Sequence, residues 1–271
     1  MTKLDEIGFW SEIKLEIVSK YAKAYSTILA KQPRFRHVYI DAFSGAGIHM
    51  SKEDGALIPG SPLNALRVEP PFAHHYFIDL ASDKVEFLRE WVGERQDIDI
   101  YEGDCNSVLL EKVYPNIRYQ DWKRALCLLD PYGLHLKWDV IYTAGHLKTI
   151  DMFLNFPVLD MQRNVLWKNP DMVKKSQLER MNAFWGDDSW KEYAYYETEN
   201  LFGEKILSKG KIGPVVAAFR ERLRNVAGFK FVPAPLPMRG ESTQPYYYLY
   251  FASHNETGAK IAGEIFSKYR N

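Results

Sequence analysis

Four aspartates stand where short apolar runs stop. Asp41 follows Val38-Tyr39-Ile40, Asp79 follows Tyr76-Phe77-Ile78, Asp104 closes Ile98 to Tyr101 through Glu102-Gly103, and Asp130 follows Ala125 to Leu129. A carboxylate so placed accepts hydrogen bonds from the hydroxyls or amines of a ligand. After Asp41 come Phe43, Gly45 and Gly47, in the spacing D-x-F-x-G-x-G. Two glycines let the backbone turn sharply and let a ligand approach with no Cβ in the way. Backbone N–H groups exposed there favour an anionic group. Asp130-Pro131-Tyr132-Gly133 offers a carboxylate, a backbone carbonyl fixed by proline, and an aromatic ring. That set suits an amine on a flat ring, because proline holds the acceptors in place. Singly, each aspartate is as readily a helix N-cap and the Pro-Gly stretch a β-turn. Their order is what argues for a site.

Further candidates follow the fifth apolar run. Phe156 and Pro157 end it beside the Asp130 motif and are candidate walls of a substrate site, although a strand stopping at proline explains them equally well. Arg163 and Asn164 are candidate contacts to a polar or anionic substrate. Trp10 and Lys14 read as ordinary core and solvated positions of a first helix. His49, His74, His75, His135 and His146 lack ligand spacing, so no metal site is expected.

These residues need elements to bring them together. Residues 5–31 read as one amphipathic helix, with Ile13, Ile17, Tyr21, Ala24 and Ile28 at helical spacing and Pro33 at its end. Strand 37–41 and the glycine loop follow, then a polar, irregular stretch over 49–60. Helix 62–68 starts at Ser61-Pro62. Strand 76–79, helix 82–93, strand 98–101, helix 106–113, strand 125–129, helix 138–147 and strand 150–157 then alternate. The alternation predicts a mostly parallel sheet with helices on both faces. Right-handed crossovers place the carboxyl ends of the strands along one edge, where such folds bind ligands. All four aspartates should meet there. Residues 158–212 break the rhythm with Trp167, Trp185, Trp190, Tyr193, Tyr195, Tyr196 and Phe202, and read as a helical insertion or lid over the cleft. Helix 213–227, strand 229–233, strand 246–251 and helix 256–269 close the chain, with 229–237 and 245–252 as an antiparallel pair.

The 271 residues suit one domain carrying an insertion, 46% apolar and 26% charged, ordinary for a globular protein. Lys+Arg and Asp+Glu are equal at 35, so net charge gives no support to nucleic-acid binding, though a local patch remains open. No stretch approaches the ~20 apolar residues of a membrane span. Cys105 and Cys127 have no C-x-x-C spacing and read as buried thiols in a reducing compartment. A cytoplasmic protein is expected.

The D-x-F-x-G-x-G loop resembles the cofactor loop of S-adenosylmethionine-dependent methyltransferases. That resemblance implies a class I methyltransferase-like (Rossmann-like) seven-stranded sheet. It places S-adenosylmethionine at Asp41, Phe43, Gly45 and Gly47, with Asp79 and Leu80 at the ribose and Asp104, Cys105 and Asn106 at the adenine. Asp130-Pro131-Tyr132-Gly133 resembles the D/N-P-P-Y/F motif of amino methyltransferases and, more closely, the D-P-F/Y-G motif of tRNA guanine-N2 methyltransferases. The second proline is missing here, which puts adenine-N6 specificity in doubt. Over most of its length the chain resembles the three-Cys-motif partner proteins. The matching stretches are residues 7–14, 39–47, 59–66, 101–106, 127–134, 153–157 and 181–186. This implies a cysteine-motif partner, similar to phage-related proteins that look like radical S-adenosylmethionine enzymes. Two functions stay open: methyl transfer to an amino nitrogen, with a nucleobase as candidate, and a non-catalytic scaffold for that partner.

Overall fold

The molecule is built on seven strands that run, across the sheet, β6-β7-β5-β4-β1-β2-β3. They are β1 (Arg36–Asp41), β2 (His74–Asp79), β3 (Ile98–Glu102), β4 (Lys123–Leu129), β5 (Ile150–Phe156), β6 (Leu236–Arg239) and β7 (Pro245–Ala252). The computed structural model describes residues 4–199, 204–239 and 244–270, so Phe202 lies outside it. Strands β1 to β5 pair in parallel; β7 is antiparallel to both β5 and β6. This order, with β7 reversed between β5 and β6, is that of the class I methyltransferase fold. The switch point lies between β1 and β4, where crossovers turn from one side to the other.

Side chains alternate across the sheet, so each strand feeds two cores. Tyr39, Phe77, Leu126, Leu128, Phe153 and Phe251 pack one face, against α1 (Phe9–Ala30), α2 (Ser61–Leu66), α3 (Ser82–Val92) and the last helix. Ile40, Ile78, Cys127, Leu129, Leu154 and Tyr250 pack the other. That face is covered by α4 (Cys105–Val108), α5 (Trp138–Leu147), the insertion helices α6 (Val158–Asn164), α7 (Lys175–Trp185) and α8 (Trp190–Ala194), and α9 (Ile212–Asn225). The last helix is α10 (Glu256–Ser267). Burial on both faces explains the unbroken apolar run of β4.

Local differences from the sequence reading have backbone causes. The first helix starts at Phe9, not at residue 5, because Gly8 is extended (φ −100°, ψ 173°). Residues Glu6–Ile7 instead pair in parallel with Ile48–Ser51, which forms a hairpin with Leu57–Pro59 inside the stretch read as irregular. Residues 229–233 make only an isolated bridge, Phe231 to Ser253; the paired strand is β6. Pro233 and Pro235 lack the N–H groups a ladder needs. The insertion contains an antiparallel pair, Tyr195–Glu199 with Lys205–Lys209, besides its helices.

Candidate functional site

The carboxyl ends of β1, β2, β3 and β4 meet at one edge, and the glycine loop turns there. Gly45 and Gly47 have φ of +59° and +78°, which L side chains rarely adopt. Gly45 is buried, yet a Cβ built on it would meet nothing within 4 Å. Open space therefore lies beside its backbone. At Gly47 a Cβ would come within 2.9 Å of Leu88. One glycine borders a cradle and the other allows close packing on α3.

Asp79 ties this loop to β2. Its Oδ2 accepts from the Gly45 amide at 2.8 Å and its Oδ1 from the Ala81 amide at 2.9 Å. Each oxygen keeps a second lone pair for a ligand hydroxyl. Asp41 is fully buried. Its Oδ1 accepts from the Phe43 amide at 3.2 Å, the Ser61 hydroxyl also draws on the carboxyl, and Oδ2 has no partner of full hydrogen-bond geometry among the described residues. Burial pushes its carboxyl up to about 7, against the pull of hydrogen bonding. A buried carboxyl with spare acceptor capacity, at the start of the glycine loop, fits a cationic amine. Asp104 is exposed and caps α4, accepting from the amide and side chain of Asn106. Asn106 is buried and also bonds the His135 carbonyl and Lys137 amide, stapling the loop after β4 to α4. Cys105 is buried, and burial pushes its thiol up to about 12, so it stays neutral. Leu80 is 75% exposed at the β2 end.

Asp130 sits in a network that the sequence reading missed. The buried Lys14 ammonium from α1 donates to its Oδ2. Burial works against that charge, but Asp130, and Asp41 beyond it, outweigh burial and hold the Lys14 pKa above its ordinary value. The Asn155 carboxamide from β5 donates to Asp130 Oδ1 at 2.9 Å and to the Pro131 carbonyl at 3.3 Å. Lys14 is therefore neither core filler nor solvated. It lies on the buried stripe with Ile17, Val18, Tyr21 and Tyr25, and a lysine at that phase of the helix was the signal available.

Tyr132 projects outward, 76% exposed. Its hydroxyl donates to Asp5 Oδ2 at 2.9 Å, and Lys84 from α3 bonds the same oxygen at 2.6 Å. Burial opposes ionisation of Asp5, but Lys84 and Tyr132 outweigh it and hold the carboxyl below its ordinary value. The amino-terminal strap thus fastens to both β2–α3 and the Asp130 motif. Gly133 is crowded: a Cβ there would meet Asp160 Oδ2 at 2.6 Å. That oxygen accepts from the Leu134 amide at 2.9 Å and from Arg180 at 3.0 Å, joining the insertion to the motif.

The remaining substrate candidates divide. Phe156 is fully buried among Phe184, Phe219 and Tyr250 and packs the interior, so it does not wall a cleft. Pro157 is buried as the N-cap residue of α6. Asn164 bonds Asp160, and Arg163 is exposed with its carbonyl accepting from Trp167. Trp185 lies against Phe219, with Arg222 over its ring, on the α9 side of the molecule.

No protein-family model and no curated protein matches the chain. Among solved structures it is similar to protein LPL1258 from Legionella pneumophila, at 14% identity and a TM-score of 0.51, over 97% of this chain and 93% of that one. It is also similar to a putative S-adenosylmethionine-dependent methyltransferase from Listeria monocytogenes, at 11% identity and a TM-score of 0.43, over 88% and 99%. A third is an S-adenosylmethionine-dependent methyltransferase from Mesorhizobium loti, at 12% identity and a TM-score of 0.37, over 85% and 97%. At 14% identity the likeness to the Legionella protein is one of fold.

Proposed function

We propose that the protein is an S-adenosylmethionine-dependent methyltransferase acting on an amino nitrogen, with a nucleobase amine as the candidate acceptor. The observation that carries this reading is the meeting, at one sheet edge, of the open space at Gly45 and the buried Asp41 carboxyl with the Asp130–Pro131 acceptors. Asp41 and the glycine-loop amides would hold the methionine end of the cofactor, Asp79 the ribose, and the Asp104–Asn106 turn the adenine. When bound, S-adenosylmethionine supplies an electrophilic methyl group. The chain's own task is to position the acceptor. A nucleobase amine is a weak nucleophile because its lone pair is shared with the ring. Hydrogen bonds from it to Asp130 and the Pro131 carbonyl draw the nitrogen toward tetrahedral geometry and free that pair. Asn155 already shows that one NH2 group reaches both acceptors at once. Lys14 holds the Asp130 carboxylate in place, and the exposed Tyr132 ring offers a stacking face. The insertion at 158–212 would border the acceptor through Asp160.

A second reading is the non-catalytic scaffold, with the cysteine-motif protein implied by the sequence resemblance as partner. It is favoured by the engagement of Asp130 with Lys14 and of Tyr132 with Asp5, which occupies the acceptor side with the chain's own groups. Transfer of tritium from labelled S-adenosylmethionine to tRNA, DNA and cell extract decides between them. Transfer that Asp130→Ala abolishes supports the enzyme. Cofactor binding with no transfer, with or without the partner, supports the scaffold.

A further inference from the structure

The opposite edge of the sheet gathers cations where β1, β4 and β5 begin. Strand β1 begins Arg36-His37, β4 begins Lys123-Arg124, and Lys148 precedes β5. Arg36 pairs directly with Lys123, so two cations are set side by side, while burial holds the neighbouring His37 below its ordinary pKa. Such pairs are unfavourable unless something offsets them. Among the described residues neither Arg36, Lys148 nor Lys230 forms an ion pair, although the chain as a whole is neutral.

A cavity of about 760 Å3 opens at this edge, and Arg124, Lys148, Lys230, Tyr119 and His254 line it. Lys148 and Lys230 both act on His254, which burial first and these cations next hold below its ordinary pKa. Its Nδ1 is sealed from solvent with no hydrogen-bond partner among the described residues. The lining sets three cations, Arg124, Lys148 and Lys230, against two acids, of which Asp151 feels Arg124, so one positive charge stays in excess. Asp151 is taken up by the Tyr21 hydroxyl at 2.7 Å and by Ser253, and Glu256 lies in the first turn of α10, where the helix dipole meets it. Beside the lysines, the Arg124 guanidinium is sandwiched between Phe35 at 4.7 Å and Tyr119 at 4.3 Å, and Arg34 stacks on Trp122 at 4.8 Å. Tyr119 and Trp122 nevertheless remain 59% and 42% exposed. Cations beside exposed, Arg-stacked aromatic rings recognise a phosphate joined to a flat base.

We infer that this cavity is a second ligand site, for a nucleotide: the base stacks at Tyr119 and the phosphate meets Lys148 and Lys230. The ligand is either a free nucleotide or one unit of a single-stranded nucleic acid. The strands are six or seven residues long, so the site lies ~20 Å from the carboxyl edge. It does not depend on the methyltransferase reading.

The test is fluorescence anisotropy and calorimetry on the full chain, with AMP, ATP and a labelled ten-nucleotide single-stranded RNA as probes. Lys148 and Lys230 are exposed, so Lys148→Gln/Lys230→Gln should keep the wild-type melting temperature. That variant, and separately Tyr119→Ala, should weaken binding about tenfold or more at 0.1 M salt. For the RNA, losing that phosphate contact should lower the slope of log affinity against log salt by about 0.7. Binding of AMP or ATP alone identifies a free nucleotide as the ligand, and binding of the RNA identifies a nucleic-acid strand. The inference is overturned if no probe binds, if the variants bind as tightly as wild type, or if saturating S-adenosylhomocysteine displaces the probe.

Discussion

Replacing Asp41 by Asn should stabilise the protein at neutral pH and leave it almost unchanged in acid. Asp41 is fully buried, and burial raises its carboxyl from 3.8 to about 7 in the folded chain. Between those values the folded state holds a proton that the unfolded state has released. Stability contributed by the protonated form is therefore present below about pH 4 and is lost as pH rises to about 7. The loss is about 1.4 kcal/mol per pH unit across the interval, or about 4 kcal/mol in total. Asn is neutral throughout, keeps an acceptor for the Phe43 amide, and escapes this loss. At ~2–4 °C per kcal/mol for a domain of this size, the variant should melt ~10 °C above wild type at pH 8 and near it at pH 4. Thermal melts by circular dichroism from pH 4 to 8 measure the difference. A difference that stays flat with pH refutes the reasoning, because a carboxyl ionised throughout would give no slope. The stabilisation should come with weaker cofactor binding, since the buried carboxyl loses its charge. In wild type, cofactor binding near pH 6.5 should release a proton, read from calorimetry in buffers of different ionisation heat.

The other predictions concern the same edge. Asp79→Ala removes the acceptor of the Gly45 and Ala81 amides and should cost roughly 1.5–3 kcal/mol of S-adenosylmethionine affinity by calorimetry; equal affinity would remove Asp79 from the site. Lys14→Ala strands a partly buried Asp130 carboxylate and should cost about 2–4 kcal/mol in denaturant melts, with loss of methyl transfer but retention of cofactor binding. Lys14→Arg should restore part of the stability, and no loss in the alanine variant would make the pair incidental. Asp160→Ala frees the Leu134 amide and Arg180, and should raise the acceptor KM at unchanged cofactor Kd, with about 1–3 kcal/mol lost in stability. Tyr132→Phe releases the strap at Asp5 and should speed amide exchange over residues 4–8 while the core stays protected; unchanged exchange would show that the strap is held elsewhere.

The sheet and the edge that gathers its carboxyl ends were legible in the sequence because both follow from short-range chemistry. β1, β2 and β3 carry β-branched and aromatic residues, β4 is an unbroken apolar run, and an aspartate stands at or just past the ends of β1, β2 and β4. Strand-helix alternation allows few topologies, so Asp41, Asp79 and Asp130 were bound to reach one edge. The glycine loop was legible for the same reason, since positive φ at Gly45 and Gly47 is a local demand.

What the neighbours of those residues are was decided by tertiary packing alone. Lys14 and Asp130 are 116 residues apart, and Tyr132 and Asp5 are 127 apart. No spacing rule links them; only the docking of α1 on the sheet and the pairing of Glu6–Ile7 with Ile48–Ser51 bring them together. The same packing turned Phe156 into the core, because alternation along β5 sets it facing Phe219 and Tyr250 while Asn155, one residue earlier, faces Asp130. A one-residue difference in facing is invisible until the sheet's partners on each side are known. The cations gathered where β1, β4 and β5 begin were hidden in a neutral total, since composition sums charge over the chain and only the fold says which charges become neighbours.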